Sequence, residues 1–132
     1  MEITNARLIL PDEIRRGSLR IRSGQIHKLS SDPATTKKAG ANTINLRGDY
    51  LAPGFIDMHI HGAMGRDTME ARLDAFRDIT EFHLRGGTTS LTLTTLSASQ
   101  KDILKALDAI APLHNKAIGG ARILGVHVEG PF

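Results

Sequence analysis

The chain has 132 residues, which is enough for one ordinary domain or for a small domain followed by part of a larger one. Hydrophobic residues make up 40% and charged residues 23% of it, a composition that is typical of globular proteins and excludes a disordered chain. The absence of cysteine excludes a disulfide framework and any thiolate metal site, so histidine and carboxylate are the metal ligands to expect.

The net charge of +3 comes from the first fifty residues, which hold nine Lys or Arg against five Asp or Glu. Several of these arginines alternate with apolar residues near positions 15–22, which is typical of the solvated face of a strand. With one tyrosine and no tryptophan there is little for bases to stack on, so we expect no nucleic-acid partner. No long apolar run and no secretory leader pattern are present, so we expect no membrane association and a cytoplasmic location.

Residues 1–50 predict a small antiparallel β unit without helices. Ser23-Gly24 lies between two short alternating runs and predicts a hairpin turn. A polar loop from Ser30 to Asn42 contains Lys37-Lys38. His27 is expected on the surface of a strand. The predicted strands cover residues 3–10, 19–22, 25–29 and 43–46.

After residue 50 the pattern becomes strand, helix, strand, helix, strand, which predicts βαβ units and a parallel sheet. Asp67 and Glu70 resemble a capping box for the first helix, and Ser99 is placed to cap the second. His83 and His114 are expected to lie in the first helix and in the loop after the second, without a site role. The predicted strands cover residues 55–61, 88–95 and 122–129, and the helices cover 70–85 and 99–112.

The segment from Pro53 to Gly62 reads P-G-F-I-D-M-H-I-H-G and predicts half of a metal site. Side chains of a strand alternate between its faces, so Asp57, His59 and His61 are expected on one face, with the two imidazoles about 6.6 Å apart along the strand. Two such imidazoles can converge on one cation, and imidazole binds zinc, iron, copper and nickel alike. The alternative is two surface or core histidines spaced by chance.

The last predicted strand adds a carboxylate. By alternation Ile123, Gly125, His127 and Glu129 share one face, and Glu129 lies at the carboxyl end. A carboxylate that points into a protein interior is costly unless it is paired or coordinated. Parallel (β/α) barrels place their sites at the carboxyl ends of the strands, so Glu129 is expected beside His59 and His61. Together the three residues predict a metal site.

Four segments of the chain read A-P-G-F-I-D-M-H-I-H-G, G-G-T-T-S-L, T-L-T-T-L and G-V-H-V-E-G-P-F. They resemble segments of N-acetylglucosamine-6-phosphate deacetylases, which belong to the amidohydrolase superfamily of metal-dependent TIM barrels. The resemblance covers essentially the whole chain, and H-x-E-G-P is its most specific part. It implies an α/β fold in which residues 1–50 form a small, incomplete β-sandwich-like domain. Residues 51–132 would then form the first three strands and two helices of a (β/α)8 TIM barrel.

The same resemblance implies that Glu129 is a metal ligand and that His59 and His61 hold an additional metal, with one or two divalent ions, zinc or iron. His127 is expected to be packed or to support the site without being a ligand. The implied activity is deacetylation of N-acetylglucosamine 6-phosphate to glucosamine 6-phosphate and acetate in amino-sugar catabolism, by a homodimer. Two more histidine ligands and a proton-transferring aspartate are expected beyond Phe132. The chain is therefore expected to be a fragment that is inactive alone.

Two other functions stay open from the sequence. A cyclic-amide hydrolase of the same superfamily, such as a dihydroorotase or hydantoinase, would bridge two metals with a carboxylated lysine on a later strand. Glu129 followed by Gly130-Pro131 favours the deacetylase over that alternative. The other possibility is a non-catalytic fragment that acts through interactions, which turnover assays would distinguish from an enzyme.

Overall fold

The computed structural model of this chain describes residues 1–31 and 41–130. It contains two compact units, Met1–Pro53 and Gly54–Phe132. The predicted loop residues Lys37-Lys38 and the final Pro131-Phe132 of the last motif lie outside the described residues. Within the described ranges, neither α-helix combines the length and the apolar character that a membrane crossing requires.

The first unit is built on a five-stranded sheet in the order β3-β2-β1-β4, with β5 also paired to β1. The neighbours β1, β2 and β3 are antiparallel, and the predicted turn at Ser23-Gly24 joins β2 to β3 with both residues at positive φ. Its strands are β1 (Glu2–Ile9), β2 (Ile14–Arg22), β3 (Gln25–Ser30), β4 (Thr43–Asn45) and β5 (Tyr50–Leu51).

The prediction of a wholly antiparallel first unit is wrong, because β4 and β5 pair with β1 in parallel. Parallel neighbours need a connection of about a dozen residues or more. The parallel neighbours β1 and β4 are joined by residues 10–42, which include β2 and β3. The apolar core of this unit centres on Ala6, Leu8 and Leu19.

The second unit has a four-stranded sheet in the order β10-β11-β9-β6, in which β6, β9 and β11 are parallel. This confirms the predicted order of the three main strands, and the short antiparallel β10 was not predicted. The elements are β6 (Phe55–Ile60), β7 (Gly62–Ala63), β8 (Arg66–Asp67), α1 (Leu73–Arg85), β9 (Thr88–Thr94), α2 (Gln100–Ile110), β10 (Lys116–Ala117) and β11 (Arg122–His127). The strands β7 and β8 form a small separate hairpin.

The helices begin differently from each other. The Ser99 hydroxyl accepts the Asp102 N–H at 3.2 Å at the start of α2, as predicted. The predicted capping box of Asp67 and Glu70 also forms, but it caps a single 3-10 turn, Thr68–Glu70. Because Ala71 then takes a left-handed φ of 52°, the turn cannot continue as a helix, and α1 begins later than predicted.

The core of the second unit lies between the sheet and the helices. Leu91 and Leu93 of β9 are fully buried, and Phe76 and Ile79 of α1 pack against this core. Phe82 of the same helix is 49% exposed. Leu91 and Leu93 on one face of β9 therefore pack against the helices, and Thr92 and Thr94 lie on the opposite face of that strand.

We expect Ile79→Ala to lower the free energy of unfolding of the second unit by about 2–5 kcal/mol, because it removes a fully buried side chain and leaves a cavity. Leu84→Ala on the same helix, where the side chain is 41% exposed, should cost about 1 kcal/mol or less. Urea unfolding followed by the circular dichroism of the helices measures both. Equal losses for the two variants would contradict this packing.

Candidate metal centre

Three donor atoms from two different strand ends converge in the second unit. His59 Nε2 lies 3.1 Å from His61 Nε2 and 2.9 Å from Glu129 Oε2. His61 Nε2 lies 3.3 Å from the same carboxylate oxygen. Within residues 1–31 and 41–130, this is the only group of three or more His, Cys, Asp or Glu residues that could hold a metal ion. The structure thus brings together all three residues that the sequence singled out.

The donor set fits a divalent metal. In a tetrahedral site with bonds of about 2.0–2.1 Å, neighbouring donor atoms lie about 3.3 Å apart. The three observed separations, 2.9, 3.1 and 3.3 Å, are close to that value. Two imidazoles and one carboxylate are also the ligand types that suit zinc and iron.

The cluster is open to solvent in this chain. The alternation of side chains had predicted that Glu129 points into the interior. The side chains of His59, His61 and Glu129 are 53%, 35% and 46% exposed. An exposed ion pair contributes only about 0–1 kcal/mol to stability. Stability of the fold therefore gives little physical reason for three donors to converge on this surface.

A bulge in β6 separates Asp57 from the two histidines. Asp57 lies opposite Leu91 and Ile60 lies opposite Leu93, so three residues of β6 span two of β9. The extra residue reverses the alternation, and Asp57 lies on the face of Ile60 instead of the face of the histidines. The predicted common face was wrong for Asp57, whose carboxylate instead accepts the His59 N–H at 3.1 Å.

A second irregularity in β11 changes the predicted face of Ile123. Ile123 lies opposite Leu91, and Gly125 lies opposite Thr92, so one residue of β11 is left out of the pairing. Ile123 is consequently buried in the core beneath the helices, whereas it was predicted on the face of Glu129. His127 remains beside the site, with its ring centroid 4.8 Å from that of His59, and adds no donor atom to the cluster.

The glycine after the second histidine is required by close packing. A Cβ on Gly62 would lie 1.9 Å from the backbone oxygen of Arg66, so only glycine allows β7 and β8 to meet there. The Thr68 N–H then donates to the His61 carbonyl at 2.7 Å. Together these contacts fix the backbone of His61 just beyond the end of β6.

The other three histidines, His27, His83 and His114, contribute no donor atom to the cluster. His27 is exposed on β3, as predicted, and His114 is exposed after α2. His83 lies in α1 with its ring against that of Phe82, at 5.5 Å between centroids.

The chain matches a known protein family. The model of the amidohydrolase family matches residues 50–132. The chain belongs to the amidohydrolase family. Members of this family generally depend on a divalent metal, which agrees with the donor set described above.

The similar proteins are mostly amino-sugar phosphate deacetylases. N-acetylglucosamine-6-phosphate deacetylase of Bacillus subtilis (strain 168) is 33% identical over 123 residues, which cover 90% of this chain and 31% of that protein. N-acetylgalactosamine-6-phosphate deacetylase of Escherichia coli O157:H7 is 30% identical over 132 residues, covering 98% and 33%. The crystal structure of the N-acetylglucosamine-6-phosphate deacetylase of Mycobacterium smegmatis superposes with a TM-score of 0.82 at 25% identity, over 100% of this chain and 33% of that one.

These similarities confirm the resemblance to N-acetylglucosamine-6-phosphate deacetylases. The cyclic-amide alternative is matched less well, since a D-hydantoinase structure superposes with a TM-score of 0.57 at 28% identity, covering 96% of this chain and 26% of that one. The chain spans about a third of the length of the deacetylases that it matches.

We expect the chain to bind cobalt(II) or zinc(II) through the three donors. His59→Ala, His61→Ala and Glu129→Gln should each weaken binding by at least about 10–100-fold, the loss usual for removing even an outer partner of a metal ligand. Titration followed by the visible absorption of cobalt(II) measures this. His114→Ala is the matched control and should bind as the wild type does, and a loss shared by the control would contradict the assignment.

Proposed function

We propose that this chain supplies the metal-holding part of an N-acetylglucosamine-6-phosphate deacetylase. The enzyme would hydrolyse the acetamide of the sugar phosphate to glucosamine 6-phosphate and acetate. The convergence of His59, His61 and Glu129 within 3.3 Å is the observation that carries the proposal. The similarity to deacetylases along nearly the whole chain supports the choice of substrate.

The proposed architecture is a small β domain in residues 1–50 followed by the first three strands and two helices of a (β/α)8 barrel in residues 51–132. The parallel order β6-β9-β11 supports it. So do the positions of the donors, because His61 follows the end of β6 and Glu129 follows the end of β11. Barrel enzymes of this class build their sites at those carboxyl ends.

In this proposal His59, His61 and Glu129 hold one or two divalent ions, zinc or iron. The chemistry that such an ion supplies when bound is polarisation of the amide carbonyl and activation of water for attack. The two imidazoles and the carboxylate orient the site, and the open face of the cluster lets a substrate reach it. Protonation of the leaving amine needs a further acid-base group, since these three side chains are occupied as ligands.

The proposed substrate class is a phosphorylated N-acetylated amino sugar. The relatives include deacetylases named for the glucosamine and for the galactosamine derivative, at similar identity. We propose the glucosamine derivative, in line with the segments that resemble its deacetylases. The homodimeric assembly and the cytoplasmic location expected from the sequence stay predictions.

The protein that carries this chain should release free amine from N-acetylglucosamine 6-phosphate. The activity should disappear after chelation and return with zinc or iron, because the donors serve a metal. Glu129→Gln should lower kcat/KM by at least about 100-fold, and His59→Ala should lower it less if one metal suffices.

Glu81→Gln, on the exposed side of α1, is the matched control and should retain activity. N-acetylgalactosamine 6-phosphate and a hydantoin are assayed in parallel. Faster turnover of the galactosamine derivative would correct the epimer. Hydrolysis of the hydantoin alone, or full activity of Glu129→Gln, would overturn the proposed function.

A further inference from the structure

The T-L-T-T segment at the end of β9 lies between the two strand ends that carry the donors. The strand β9 pairs with β6 on one side and with β11 on the other. Thr94 and Thr95 are fully buried.

Two of these threonines bind the backbone on either side of His59, where β6 bulges. The Thr92 hydroxyl donates to the Met58 carbonyl at 2.6 Å, and the Thr94 hydroxyl accepts the Ile60 N–H at 2.9 Å. These two backbone groups lie immediately before and after His59. They fall in the stretch where the pairing between β6 and β9 skips a residue, so the side chains replace bonds that the regular ladder lacks.

The third threonine, Thr95, bonds to the backbone of Glu129. The Thr95 hydroxyl accepts the Glu129 N–H at 3.0 Å and donates to the Glu129 carbonyl at 3.3 Å. The Thr95 N–H also donates to the His127 carbonyl at 3.0 Å. Regular β11 ends at His127, so the Thr95 side chain extends the pairing to the residue that carries the carboxylate.

Other buried threonines of this unit behave differently. The Thr80 hydroxyl bonds to the Arg77 carbonyl of its own helix at 3.1 Å. The Thr68 hydroxyl is buried without a hydrogen-bond partner among the described residues. The need to satisfy a buried hydroxyl therefore does not by itself explain why the hydroxyls of Thr92, Thr94 and Thr95 all bind backbone groups next to His59 or at Glu129.

We propose that Thr92, Thr94 and Thr95 are positioning residues of the metal centre, whose hydroxyls set the spacing between the imidazoles of β6 and the carboxylate of Glu129. The proposal rests on the metal-binding role proposed above. The donor atoms are 2.9–3.3 Å apart, so a shift of either backbone by a fraction of an ångström takes a donor out of bonding range. Loss of a hydroxyl should thus lower metal affinity although no ligand is changed.

The test compares Thr94→Val and Thr95→Val, which keep the side-chain shape, with the corresponding serine variants, which keep the hydroxyl. Cobalt(II) affinity of the valine variants should fall by about 10–100-fold, the usual effect of removing a group that orients a ligand. The serine variants should recover most of the affinity. Thr89→Val is the matched control, since its hydroxyl bonds to the Phe55 carbonyl on the same strand pair, at the end away from the histidines.

Amide hydrogen exchange of the metal-free chain gives a readout that does not depend on metal. Thr94→Val should speed exchange at Ile60, and Thr95→Val should speed it at Glu129, while helical circular dichroism shows that the fold is kept. Valine variants that bind cobalt(II) as tightly as the wild type, or no recovery with serine, would overturn this proposal alone. Absence of cobalt(II) binding by the wild-type chain would overturn it together with the metal role.

Discussion

The metal centre depends on one geometric requirement. Donor atoms from two strands that are not neighbours must come close enough to bind the same ion. The strands β6 and β11 are separated by β9, so their axes lie about 9.5 Å apart. Nevertheless, His59 Nε2 and Glu129 Oε2 are 2.9 Å apart. Long side chains, the bulge in β6 and the departure of the chain after β11 together close this gap above the end of β9.

The central strand divides its two faces between stability and the site. Leu91 and Leu93 are buried in the core with α1 and α2, so burial of apolar surface holds β9 in place. Thr94 on the opposite face bonds to the Ile60 N–H next to His59, and Thr95, just after the strand, bonds to the backbone of Glu129. The core thus fixes the position of β9, and the threonines on its other face and at its end set the distance between the donor residues. This links the hydrophobic core to the proposed chemistry.

Local periodicity was enough to predict the three main strands of the second unit and their parallel order. It also predicted the meeting of His59, His61 and Glu129, because donors at the carboxyl ends of parallel strands share one edge. The face of Asp57 could not be predicted, because a bulge depends on how the partner strand bonds, and one extra residue reverses every side chain after it. The late start of α1 follows from the left-handed Ala71, a residue type without a sequence preference for that conformation. The parallel pairing of β4 similarly depends on contacts distant in sequence.

The most direct test of the proposed metal centre is a crystal structure of the chain grown with zinc, with anomalous data collected on both sides of the zinc absorption edge. We expect an anomalous peak about 2.0–2.2 Å from His59 Nε2, His61 Nε2 and a carboxylate oxygen of Glu129. A zinc peak at His27 or His114 with none between these three side chains would contradict the assignment.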